Sequence, residues 1–275
     1  MIIEDDTIEY NLLESKIKEE LIKCTDPERK RIFLMLFGAA LGSVPWVGGF
    51  LSAFANFNSM EKQVKSNQLY EQWLQEHSNK MKDLAQTLAE VINRLNEFPQ
   101  EINERLKSDE YLQIVRKSFR SWDNADTQEK RDFIRMLLTN SGTNTLVPDD
   151  LIRLFLDWID SYHEIHFAVI KVIYQNPGVT RYGIWKELKG TQEREDSLEA
   201  DLFKLLIRDL TTGSVIRQHR EVDYYGNYVK KTPVKSSNPS STMKSAFDNT
   251  EGYELTELGK KFVHYTMNEV VPRIA

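Results

Sequence analysis

The residues from Phe33 to Phe57 form a run of 25 without a charged side chain, FLMLFGAALGSVPWVGGFLSAFANF, in a chain in which 28% of residues are charged. About 20 apolar residues cross a bilayer, so the length of the run alone is compatible with a membrane span. Pro45 argues against one continuous helix, because proline lacks a backbone N–H and Gly48-Gly49 follow it closely. We therefore predict an apolar helical hairpin over 33–57, with arms at 33–43 and 50–57 and the turn SVPWVGG between them.

This apolar hairpin has two interpretations. It is either a buried pair of helices in a soluble core, or a segment that is stored folded and inserts into a membrane on activation. Gly38 and Gly42 form a G-x-x-x-G pattern, which allows another helix to approach closely in lipid or in a protein core. The residues predicted to insert into a membrane or a partner are Phe33, Leu36, Phe37, Gly38, Gly42, Pro45, Trp46, Gly48, Gly49, Phe50 and Phe54.

A second pattern predicts one long helix over residues 60–98. From Tyr70 onwards apolar residues recur at alternating steps of four and three, which is the heptad pattern of a coiled coil, and Pro99 should end the helix. Such a stripe needs a partner, either other helices of this chain or the same helix of a second copy. His77 in the stripe is either a register device or a pH-sensitive break. The predicted oligomer seam comprises Leu74, His77, Met81, Leu84, Leu88, Val91 and Leu95.

The pattern of residues 149–275 predicts a winged-helix domain, and that of residues 1–148 a separate helical domain. Three predicted helices come first, and the third of them ends at Gly213. Two predicted strands, VIRQHREV and GYELT, then flank a long polar loop at 223–250, and a last helix follows. This order of three helices, strand, wing and strand is that of the winged helix, a variant of helix-turn-helix. The predicted fold class is mainly α, with an α+β winged helix at the C-terminal end.

No pattern in the sequence predicts catalysis or a cofactor. The chain has no G-x-S-x-G, P-loop, dinucleotide fingerprint or C-x-x-C pair, and its single cysteine, Cys24, excludes an internal disulfide. His163 and His166 lie three residues apart, but a metal site needs a third ligand, so we interpret both as flanking an apolar helix face. We expect a non-enzymatic protein without cofactor or metal. Because the N-terminus carries no export signal, we expect it in the cytoplasm, with membrane association on activation.

The net charge and its distribution disfavour nucleic acid as a partner but do not exclude it. The net charge is −6, and from residue 160 onwards 16 basic residues are balanced by 16 acidic ones. The third winged-helix helix would enter the major groove, and an acidic run at its start would repel phosphates: Glu195, Asp196, Glu199 and Asp201. Basic residues of the strand and wing favour contact with nucleic acid: Arg217, His219, Arg220, Lys230 and Lys231. We expect a protein partner or self-association, and we identify no small-molecule substrate.

Two segments resemble the abortive-infection alpha family of phage-defence proteins. YELTELGKKFV (253–263) has the L-T-x-x-G-x-x-F ending of many bacterial winged-helix domains, and RDFIRMLLTNS (131–141) leads through a loop to DDLIRLFLDWI. The matching residues, within 110–275, are Leu137, Thr139, Asn140, Ser141, Leu255, Thr256, Gly259 and Phe262. The resemblance implies a role in phage defence and transfers no catalytic residue. The layout of a hairpin beside a long helix also resembles helical pore-forming proteins.

Two functional hypotheses follow from these patterns. In the first, a non-enzymatic phage-defence or stress-response protein acts through protein contacts and through membrane disruption by the apolar hairpin. In the second, a winged-helix transcriptional regulator dimerises through the long helix and binds an operator.

Overall fold

In the computed structural model the chain is mainly helical, as predicted, with one small antiparallel sheet. The structure describes residues 26–57, 68–143, 146–190, 193–220, 223–225, 229 and 245–267, with the backbone alone at 51, 53–57 and 68–74. The chain divides into two compact units, Met1–Ser161 with Tyr265–Ala275, and Tyr162–His264. This division comes after Ser161 and not after residue 148, because the helix Asp149–Ser161 packs on two helices that precede it.

Seven helices lie in the described part of the first unit. They are α1 (Pro27–Leu41), α2 (Pro45–Phe57), α3 (Gln68–Asn96), α4 (Asn103–Lys107), α5 (Asp109–Asn124), α6 (Gln128–Thr143) and α7 (Asp149–Ser161), with a 3-10 turn at Gln100–Ile102 before α4. α5 packs against α1, α6 and α7, whereas α3 packs against α2 and α6. The core of this unit is therefore formed around α5, whose buried face includes Tyr111, Phe119 and Trp122.

Helices α1 and α2 occupy the predicted apolar hairpin, but Pro45 does not lie in a turn. α2 begins at Pro45, earlier than the predicted arm at 50–57, and the connection shortens to Gly42–Val44. Proline is favourable at the first position of a helix, because the N–H that it lacks would have no intrahelical partner there. The charge-free run therefore lies almost entirely in helix.

The buried guanidinium of Arg29 ties the start of α1 to the end of α3. Its nitrogen atoms donate to the backbone oxygens of Asn96 (3.0 Å) and Phe98 (2.6 Å) and to Oδ1 of Asn103 (3.2 Å). The last carbonyls of a helix have no partner within the helix, so these bonds satisfy oxygens that would otherwise need water. α3 ends just before Pro99, as predicted, and Arg29 holds that end in place.

The heptad stripe of α3 is covered by other helices of the same chain. Five of the predicted seam residues are at most 5% exposed, namely Met81, Leu84, Leu88, Val91 and Leu95. They face α6 and α2, which are the helices that pack on α3. The side chains of this stretch are therefore covered within the chain itself, which is the first of the two partners that the sequence allowed for the stripe. His77 is half-buried, the side chain of Leu74 lies outside the description, and so do residues 60–67 of the predicted helix.

The second unit combines helices with the sheet. It runs α8 (Glu164–Gln175), β1 (Val179–Thr180), α9 (Arg181–Lys189), α10 (Leu198–Thr212), β2 (Ile216–Gln218), β3 (Gly252–Leu255) and most of α11 (Glu257–Thr266). The antiparallel strands are ordered β1-β3-β2, with Val179 opposite Tyr253 and Arg217 opposite Glu254. α8 packs on α9, α10 and β3. The short strand β1 is absent from the sequence prediction, because two residues are too few to show alternation.

The L-T-x-x-G-x-x-F ending has a structural role in this unit. Leu255 and Phe262 are buried, and the hydroxyl of Thr256 donates to the Ser214 oxygen (2.7 Å) while accepting from the Gly259 N–H (2.9 Å). A Cβ at Gly259 would lie 2.2 Å from the Val215 oxygen, so only glycine fits this close approach. These residues join the start of α11 to the segment that leads into β2.

The approach of α11 to Val215 predicts that Gly259→Ala destabilises the protein by about 2 kcal/mol, because the added methyl group collides with backbone. The matched control is Gly38→Ala, since no atom lies within 4 Å of a Cβ built there. Replacing a helical glycine by alanine at an open position should raise the free energy of unfolding by up to ~1 kcal/mol. Urea unfolding followed by circular dichroism measures both changes, and equal stability of Gly259→Ala and the wild type would contradict the close approach.

Candidate interaction surfaces

One face of the helical pair α1–α2 is fully buried. Its apolar side chains are at most 3% exposed and pack toward α5 and α3: Ile32, Phe33, Leu36, Ala40, Val44, Val47 and Phe50. Burying a large aliphatic or aromatic side chain contributes about 1.5–3 kcal/mol, so this face fixes the pair firmly on the first unit. Three of the predicted insertion residues, Phe33, Leu36 and Phe50, therefore belong to the core.

The opposite face of the pair is exposed and carries no charge from Leu34 onwards. Leu34 and Met35 are 51% and 39% exposed, although both are large and apolar. We call this the open face, and its exposed residues are Leu34, Met35, Gly38, Gly42, Pro45, Gly48, Gly49 and Ser52. Phe37 and Trp46 are half-buried, and the side chain of Phe54 lies outside the description. Among the helices described, none has both the length and the apolarity needed to cross a membrane.

No described helix packs closely against the glycines of the open face. Among the described residues, a Cβ at Gly38, Gly48 or Gly49 would meet no atom within 4 Å, and at Gly42 it would meet only the Gly38 oxygen of its own helix, at 3.1 Å. The G-x-x-x-G pattern thus leaves a shallow strip of backbone without large side chains beside Leu34 and Met35.

Trp46 lies at the edge between the buried and the open face. Its indole N–H donates to Asp123 Oδ1 at 2.7 Å, and its ring meets the ring of His77 edge-on with 5.0 Å between centroids. Lys80 Nζ lies 6.0 Å from the ring centroid, within the range of a cation–π contact. His77 thus contacts an aromatic ring of α2. Periodicity in the sequence does not identify Asp123, because its only signal is a carboxylate near the end of an amphipathic helix.

In the second unit, α10 exposes three leucines on one side. Leu198, Leu202 and Leu205 are 80%, 41% and 39% exposed. Steps of four and three residues place them along one stripe of the helix, beside the buried stripe that contains Phe203, Leu206 and Leu210. The hydrophobic pattern in the sequence does not distinguish these leucines from the core leucines next to them, so the exposed stripe was not predicted.

The acidic residues just before α10 and in its first turn have structural roles in the second unit. Glu195 accepts hydrogen bonds from the Ser245 hydroxyl and from the Ala246 N–H (2.9 Å), so it anchors the chain that enters β3. Asp196 pairs with Arg194 at 2.7 Å, and Ser197 caps α10 by accepting from the Ala200 N–H. Glu199 and Asp201 lie in the first turn of α10, where carboxylates complement the helix dipole.

Two of the five candidate nucleic-acid residues contact the same carboxylate. Arg217 Nε and His219 Nδ1 each lie 2.7 Å from an oxygen of Glu254 on the neighbouring strand. Partial burial acts to raise the pKa of Glu254, but its hydrogen bonds to His219 and Arg217 outweigh burial and lower this pKa. Arg220 is exposed next to them, whereas Lys230 and Lys231 lie outside the described residues.

His166 is buried as a neutral imidazole in the second unit. The His163 backbone N–H donates to His166 Nδ1 (3.1 Å), and the ring stacks on Tyr162 with 5.0 Å between centroids. Nε2 faces Asp209 Oδ2 at 3.8 Å. Burial lowers the pKa of His166, and the nearby Asp209 offsets this only in part. Within the part of the chain that the structure describes, no three His, Cys, Asp or Glu side chains are grouped to hold a metal ion.

None of the protein-family models matches this chain, and the comparisons with curated proteins and with solved structures give no match either.

The lowered pKa of His166 predicts that the second unit loses stability as the pH falls below about 6.5, the ordinary pKa of histidine. In this range the unfolded chain takes up a proton that the folded ring resists, so the free energy of unfolding falls by at most about 1.4 kcal/mol per pH unit for this group. His166→Gln should make the decline between pH 7 and pH 5 shallower, with part of what remains contributed by the half-buried His264, whose pKa is also lowered by burial. Thermal unfolding at several pH values measures the decline, and an unchanged decline in the variant would contradict the assignment.

Proposed function

We propose that this chain is a non-enzymatic protein of a phage-defence or stress-response system, and that it acts by laying the open face of α1–α2 on a lipid surface. The observation that carries the proposal is that Leu34 and Met35 are exposed on a face without charges, while the other face of the same helices is buried. A helix pair that is anchored on one side and apolar on the other lies in the membrane interface and need not span the bilayer.

The charges at the start of α1 suit an anionic lipid surface. Lys30 and Arg31 are exposed, and Arg31 precedes Leu34, Met35 and Gly38 on the same stripe of the helix. Basic side chains next to apolar ones are typical of interfacial helices, since the cations meet lipid phosphates while the apolar side chains enter the acyl boundary. The half-buried Trp46 at the edge of the face is of the amphipathic type that favours this interface.

Contact with a protein is the role that we propose for the second unit. Its order of helices and strands, with the sheet β1-β3-β2, supports a winged helix in which α10 is the third helix. The outward side of α10 carries the exposed leucine stripe and an acidic first turn. Apolar side chains in this position favour a protein partner, whereas a reader of DNA needs donors and cations there. The resemblance to abortive-infection proteins is the basis for placing this contact in phage defence.

The alternative is a winged-helix transcriptional regulator. It is favoured by the same order of elements and by the basic side chains of β2. It is disfavoured by the leucines of α10 and by the burial of the α3 heptad stripe, which would have been the dimer contact. Salt-sensitive binding of an operator duplex that is lost in an Arg217→Gln/Arg220→Gln variant would favour this alternative.

The open face predicts that the purified protein floats with vesicles that contain anionic lipid, and that Leu34→Glu weakens this binding about tenfold or more. Leu34 is half-exposed, so a carboxylate there should not disturb the fold, whereas the fully buried Ala40 could not carry one. The matched control is Leu146→Glu, because Leu146 is 44% exposed in the same unit but lies outside α1–α2. Dye release from the same vesicles reports disruption. Equal flotation of both variants, or no flotation of the wild type, would reject the proposal.

A further inference from the structure

A basic cleft lies in the second unit, between the C-terminal half of α10 and strands β2 and β3. Its volume is about 500 Å³, and of the ten described residues that line it five are cationic and none is acidic. The cations are Arg181, Lys204, Arg208, Arg217 and Arg220, and Thr212 and Tyr253 also line the cleft. The sequence places these residues on four separate elements, so only the fold brings them together.

The cationic side chains of the cleft differ in their hydrogen-bond and ion-pair partners. Arg181 is positioned by neutral oxygens, with its Nε donating to the Tyr253 hydroxyl (3.0 Å) and its Nη1 to the Ser245 oxygen (3.3 Å). Arg217 shares Glu254 with His219, whereas Lys204 and Arg208 lie farther from carboxylates, at 3.6 Å from Glu195 and 3.8 Å from Asp209. None of these three carboxylates is among the described residues that line the cleft.

The lining favours phosphate over other ligand chemistries. Guanidinium groups present planar pairs of donors that match phosphate oxygens, and a lysine adds a point charge. The volume corresponds to that of a small-molecule site. A long polyanion that reached the cleft along α10 would also meet the exposed leucines and the acidic first turn of this helix.

We propose that this cleft binds a phosphate-bearing ligand of nucleotide size, with its phosphates between Arg181, Arg208 and Arg220. The site is independent of the open face of α1–α2, because all its residues lie in the second unit. A ligand held there would bridge α10 to β2 and would stabilise this unit in proportion to its concentration.

Isothermal titration of the full chain with pyrophosphate, ADP and ATP tests the proposal. We expect saturable binding that weakens with added salt, and a loss of about tenfold or more in affinity in the Arg208→Gln/Arg220→Gln variant. The Arg208 side chain is 71% exposed and Arg220 is exposed, so the variant should fold normally. The matched control is Lys186→Gln/Lys189→Gln, which removes the same charge from exposed positions on α9 outside the cleft.

Three results would overturn the proposal. The first is an absence of saturable binding of all three compounds. The second is an equal loss of affinity in the cleft variant and the control variant, which would show that net charge alone attracts the phosphates. The third is binding of a 20-bp DNA duplex that depends on Arg208 and Arg220 without any binding of the small compounds, since the cations would then serve a nucleic-acid backbone.

Discussion

The packing of one face of α1 and α2 against α3 and α5 is the interaction on which the described structure of the first unit depends. It buries Phe33, Leu36 and Phe50 and leaves the other side of the same two helices in water. The buried Arg29 secures one end of this contact through the carbonyls at the end of α3, and the bond from Trp46 to Asp123 secures the other. A stretch without charges can then be held on a folded protein and still present apolar side chains outward.

The sequence was sufficient to predict the helical character of the chain, the paired helices of the charge-free run and the end of α3 before Pro99. Each rests on a local rule: periodicity, an interruption by proline, and the loss of a backbone donor. Periodicity also marks which side chains of α3 must be covered, but it does not reveal what covers them. Met81 to Leu95 fit a coiled coil of two copies as well as they fit α6 of the same chain, and only the fold decides between these.

The surface features were less predictable for the same reason. Leu202 and Leu206 have identical side chains on one helix, yet one is exposed and the other is in the core. Proline breaks helices, which favours the prediction of a turn at Pro45, but proline is equally suited to begin a helix. The cleft draws Arg181 from α9 and Arg217 from β2, and no spacing in the sequence links them. The residues that carry the family resemblance, such as Thr256 and Gly259, serve packing and backbone contacts, so they describe a fold more than a function.

The central claim, that the charge-free run has one buried and one open face, can be measured directly by thiol labelling. In a Cys24→Ser background, the Leu34→Cys and Leu36→Cys variants place a thiol on either face, at sites that are 51% and 2% exposed in the wild type. The account predicts that a maleimide reacts at position 34 at the rate of an exposed thiol, and at position 36 only through local opening, at least ~100-fold more slowly. Anionic vesicles should protect position 34 alone. Equal rates at both positions, or a thiol at position 34 that is protected without vesicles, would contradict it.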